Sequence, residues 1–121
     1  MSAPAMTDRD VAELNARLAI QDISIRASDL TQAILFEQAA ITERDDYLTA
    51  LVNSLIGQPN PMTNKPHSQT SAEAAAKEDA RYRELCAGRT DAECARLRAS
   101  AAYDVAKLSA RLQLAAVEHG S

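Results

Sequence analysis

Tryptophan is missing from this chain, phenylalanine occurs once, and glycine appears three times in 121 residues. So few aromatics and turn formers, set in a chain rich in Ala, Leu, Arg and Glu, argue against any sheet and for helix throughout. No run approaches the roughly 18–20 apolar residues that a membrane helix requires. The first residues lack a basic region followed by an apolar run, so no secretory signal is read there and the expected location is cytoplasmic. Cationic charge is also scarce. The formal net charge is −4, which supplies no basic field for nucleic acid.

Chemistry-bearing patterns are missing as well. The two histidines, His67 and His119, lie far apart in the chain. No HExxH, GxSxG, phosphate loop or dinucleotide fingerprint occurs. Cys86 and Cys94 have no third cysteine or nearby histidine with which to hold zinc. No metal, cofactor or catalytic constellation is therefore expected, and the protein is read as a non-enzyme.

What the chain does have is a stretch from Thr7 to Ile56 without glycine or proline. Within it Ile20, Ile23, Ala27, Leu30, Ile34, Glu37, Ile41, Arg44, Leu48, Leu51 and Leu55 follow steps of three and four. That spacing keeps one face of a helix toward a partner, as in a coiled coil or a long bundle helix. Glu37 and Arg44 are polar exceptions, which either pair across an interface or extend along the edge of the seam. Val11, Leu14, Leu18, Ile25 and Leu35 form a second stripe beside the first, so more than one neighbour is expected. Thr7 and Asp10 form a capping box at the start. Gly57, followed by Pro59 and Pro61, marks the end.

Residues 57–71 hold three of the four prolines and read as a loop. Asn60, Thr63, Lys65, His67 and Ser68 make it a candidate partner-binding loop, although a turn-rich connector whose hydroxyls serve as caps is the simpler reading. Thr70 and Glu73 form a capping box for a helix over about 71–87. Gly88 is then a natural helix end, and Thr90 and Glu93 make a further box. The pattern favours a turn at Gly88 that would bring Cys86 and Cys94 together for a disulfide. Helix running on through Gly88 is the alternative, and it would hold the two sulfurs apart. A last helix over about 91–118 has Cys94, Leu97, Ala101, Val105, Leu108, Leu112 and Ala115 as its expected buried stripe. The terminal His119-Gly120-Ser121 reads as a frayed end.

These features predict a single all-α domain over residues 1–121. A long amphipathic helix packs against a returning two-helix segment, as a hairpin or a three-helix bundle, and is coiled-coil-like. Two stripes exceed what one returning segment covers, so self-association is expected, most simply as a dimer. Its seam would comprise Ile20, Ile23, Leu30, Ile34, Ile41, Leu48, Leu51 and Leu55. The function that follows is an interaction or assembly module that binds itself and another protein, of a kind suited to a bacterial or phage accessory factor. One alternative uses the acidic first half, where residues 1–56 carry nine acids and four bases, to cover a basic site on a target. A second is a thiol switch at Cys86 and Cys94, which would require an exposed, acidified thiol.

Overall fold

Thr7 and Asp10 start the first helix reciprocally. The Asp10 amide donates to Thr7 Oγ1 at 3.1 Å, and the Thr7 amide donates to Asp10 Oδ2 at 3.1 Å. Two amide donors at the helix start are thereby satisfied. These bonds hold the Asp10 carboxyl below its usual pKa. The computed structural model describes residues 5–119 and contains three helices: α1 (Asp8–Leu55), α2 (Gln69–Lys77) and α3 (Ala80–His119). Gly120 and Ser121, expected to fray, lie outside the described residues. The all-α prediction holds, with the long helix packing against two others.

Gly57 follows α1 with φ +84°, the left-handed conformation that glycine adopts without a Cβ clash. The connecting loop is hydrogen-bonded, with an isolated antiparallel bridge between Pro59 and Pro66. The His67 amide donates to the Gln58 carbonyl at 2.8 Å, and the Asn60 amide donates to the Lys65 carbonyl at 2.8 Å. The turn between them uses Asn64 at φ 55°, a left-handed position that Asn tolerates better than most residues.

Two helix boundaries differ from the sequence reading. The capping box of α2 is built by Ser68 and Ser71, not by Thr70 and Glu73. Ser68 sits in extended backbone and receives the Ser71 amide on Oγ, while Ser71 Oγ receives the Ser68 amide at 2.9 Å. His67 Nδ1 lies 3.0 Å from the same Ser71 oxygen, which ties the box to the loop. The second boundary is larger. The chain breaks at Glu78-Asp79 and runs as unbroken helix through Gly88. Asp79 caps the new helix by accepting the Tyr82 amide at 3.0 Å and also accepts the Tyr47 hydroxyl at 2.7 Å. The Thr90 hydroxyl donates to the Cys86 carbonyl at 3.1 Å, a mid-helix bond, so no second capping box forms there.

The contacts divide into two units. One comprises residues 34–94. Here Leu48, Leu51, Val52 and Leu55 of α1 pack on Ala72 and Ala76 of α2. Tyr47 reaches Asp79, Glu43 pairs with Arg81 at 3.3 Å, and Phe36 and Ala40 share a groove with Leu85 and Gly88. As numbers fall along α1 they rise along α3, so the two helices run antiparallel in this unit. The other unit joins the chain up to Ala33 with the chain from Ala95 onward. Its buried side chains include Ala16, Ala106 and Ala110. Alanine at such a contact lets two helix backbones approach closely.

Candidate interaction surface

Several helix-surface charges are paired locally. Arg9 pairs with Glu13 at 3.2 Å, Arg26 with Asp22 at 3.4 Å, and Arg44 with Asp45 at 2.9 Å. Arg83 pairs with Glu78 across the α2–α3 junction. The polar exceptions on the α1 stripe, Glu37 and Arg44, are both half-buried and both engaged.

Several polar groups of the loop read as a candidate partner site are engaged within the loop or at its junction with α2. Asn60 Oδ1 accepts the Met62 amide at 3.0 Å, and Thr63 Oγ1 accepts the Lys65 amide at 3.4 Å. His67 is 9% exposed and is held by Ser71, while Ser68 caps α2. Met62, at 92% exposure, stands out from the loop, and Thr63, Asn64, Lys65 and Ser68 are exposed as well.

Cys86 and Cys94 are both free thiols on α3. Eight residues of helix separate their Cα atoms by about 12 Å of rise, beyond the roughly 7 Å that a disulfide spans. The expected staple at Gly88 therefore does not exist in this fold. The neighbouring Cys86 thiol, with desolvation adding to the effect, pushes the Tyr82 pKa above its ordinary value.

The apolar stripes distribute differently from the prediction. Leu48, Leu51 and Leu55, assigned to a seam between copies, pack on α2 within the chain, because α2 lies over that end of α1. Ile23, Leu30 and Ile41 are half-buried, while Ile20 and Ile34 are exposed. The correction on α3 is sharper. Cys94, Leu97, Ala101, Val105, Leu108 and Leu112 were expected to be its buried stripe, and all six are exposed. Val105 is 67% and Leu112 63% exposed. The face turned inward carries Ala92, Ala106 and Ala110. On α1 the second stripe, Val11, Leu14, Leu18, Ile25 and Leu35, is exposed in the same way.

Among the described residues the buried apolar side chains are six alanines and Val52, and no large side chain is fully buried. The outer faces of the alanine-packed unit thus hold most of the exposed large apolar residues. Among the described residues no group of three His, Cys, Asp or Glu side chains is placed to hold a metal ion, and no helix is long and apolar enough to cross a membrane. Compared with protein-family models, with curated proteins and with solved structures, the chain matches none.

Proposed function

We propose that the protein is a non-enzymatic helical interaction module whose work is assembly, through apolar helix faces, with itself and with another protein. The observation that carries this reading is the mismatch between core and surface. Large side chains point outward in heptad-like rows while alanines face inward. Contiguous apolar surface of this kind marks an interaction site rather than a finished monomer surface.

The acidic-cover alternative draws less support from the side chains. Glu13, Asp22, Asp29 and Asp45 are each paired with an arginine of their own helix, which lowers the charge offered to a basic target.

Thermal unfolding followed by circular dichroism across a hundredfold range of chain concentration tests the reading. Association that stabilises the fold raises Tm with concentration, because the partner binds the native state and not the unfolded chain. A Tm independent of concentration contradicts self-assembly.

A further inference from the structure

Ala16 of α1, with Ala106 and Ala110 of α3, is buried in the unit that joins the chain up to Ala33 with the chain from Ala95. Stepping about 100° per residue from Ala16 puts Val11, Leu14, Leu18 and Ile25 on the opposite side of α1. The same stepping from Ala106 and Ala110 puts Leu97, Ala101, Val105, Leu108 and Leu112 on the opposite side of α3. All of these row residues are exposed. The unit therefore carries two apolar rows on two different faces. Such rows do not build one two-fold interface. One row of a copy can instead meet the other row of a second copy, which is a head-to-tail contact.

We propose that the outer row of α1 docks antiparallel on the outer row of α3 of the next copy, so that copies add one after another. The proposal rests on the reading of the protein as a self-associating module and names its two faces.

Two observations favour this occupant. The first is length and spacing. Val11 to Ile25 rises about 21 Å, and Leu97 to Leu112 about 22 Å. In one antiparallel register Val11 meets Leu112, Leu14 meets Leu108, Leu18 meets Val105 and Ile25 meets Leu97 of the next copy. Gln21, which fills the gap in the α1 row, meets Ala101. Both rows advance by threes and fours, so these layers interdigitate as knobs into holes.

The second is charge. Asp10 and Arg17 lie along one flank of the α1 row, and Asp22 lies along the other. Asp104 and Arg111 lie along one flank of the α3 row, and Arg98 lies along the other. Antiparallel helices bring flanks of the same hand together. In the register that matches the apolar layers, to within about one turn, Asp10 meets Arg111, Arg17 meets Asp104 and Asp22 meets Arg98 of the next copy. The α1 row offers two acids and one base, and the α3 row two bases and one acid. Only the cross-pairing balances them, because either row docked on its own copy leaves two like charges over. Arg98 and Arg111 are exposed and hold no ion pair among the described residues. Asp29 lies past the Ile25 end of the row and stays with Arg26 at 3.8 Å.

The test measures solution mass for the wild-type chain, a Leu18→Glu/Ile25→Glu variant and a Leu108→Glu/Leu112→Glu variant. Each is measured alone, and the two variants are also mixed in equal amounts. The four substituted side chains are each more than half exposed within one copy, so none removes internal packing. One row on one row is a small contact, so each sample is read over a hundredfold range of concentration. The expected wild-type mass rises past two chains, and each variant alone stays at the single-chain mass. The mixture reaches twice the chain mass, because the first variant keeps its α3 row and the second keeps its α1 row. A variant that associates by itself, or a mixture that stays at the single-chain mass, overturns the docking while leaving wild-type self-association standing. A wild-type chain of single mass overturns both. Should a variant lose helix by circular dichroism, cysteine crosslinking decides instead. In a Cys86→Ser/Cys94→Ser background, chains bearing Leu18→Cys are mixed with chains bearing Val105→Cys and oxidised. Disulfides that join unlike chains are expected. A preference for disulfides between like chains overturns the proposal.

Discussion

Asp79 shows how one side chain can set a boundary. It ends the α2 turn with its amide, caps α3 with its carboxylate, and receives the Tyr47 hydroxyl from 32 residues away. The Tyr47 bond and the Tyr82 amide together hold its pKa below the usual carboxylate value. A lowered pKa in the folded chain means stability that is present above about pH 4, the unfolded value, and lost as pH falls through the folded one. Tyr47 is shifted the opposite way, its pKa raised first by the bond to Asp79. Its contribution is present below about pH 10 and lost as pH rises through its folded pKa. Thermal unfolding of Asp79→Asn against wild type from pH 2 to pH 7 should show a shallower acid loss in the variant. Identical acid profiles would remove Asp79 from the account.

The two central glycines make opposite predictions. A Cβ at Gly88 would meet nothing within 4 Å, and the residue lies inside a helix. Gly88→Ala should therefore stabilise the chain by about 0.5–1 kcal/mol in urea denaturation. Gly57 has the same open surroundings but a φ of +84°. Gly57→Ala should destabilise by about 1–2 kcal/mol because the left-handed backbone strains an L side chain.

At the scale of elements, much of the fold was legible from the chain. The α1 capping box, the Gly57 stop and the proline-bearing loop all rest on local chemistry, and local chemistry is what spacing reports. The break at Asp79 was not legible, since Glu78-Asp79 contains neither glycine nor proline and its determinant, Tyr47, is remote in sequence. Gly88 misled in the other direction. Running helix through it keeps Leu85 and Ala92, seven apart, on the side toward α1, and this outweighs a glycine penalty of about 1 kcal/mol.

The α3 stripe was misread for a different reason. Periodicity identifies an apolar face without saying which neighbour it meets, and α3 carries an alanine face on the side opposite its leucine face. Small residues took the close helix contact and left Leu97, Leu108 and Leu112 outside. The continuous α3 also predicts redox behaviour. Mild oxidation followed by mass spectrometry should give no Cys86–Cys94 bond within a chain, and any disulfide should join two chains. An intrachain bond formed without loss of helicity would contradict the unbroken helix.

For the molecule as a whole, the candidate site was legible only in kind. The excess of apolar stripes over available partners is visible in the sequence, and it is the basis for expecting self-association. Which stripe remains uncovered depends on α2 lying over Leu48, Leu51 and Leu55, and that packing has no local signature. In the loop over residues 57–71, Asn60, Thr63 and His67 make hydrogen bonds that hold the loop's own turn and its junction with α2.

The most direct test of the central claim, that outward apolar faces drive assembly, is the solution mass of the wild-type chain by light scattering at low and at high salt. Apolar association is not screened by salt, whereas capture by surface charge is. A dimer or larger species retained at high salt is the predicted result. A chain that stays at 13.0 kDa in both conditions would contradict the account, because the exposed rows would then be uncovered by any second copy.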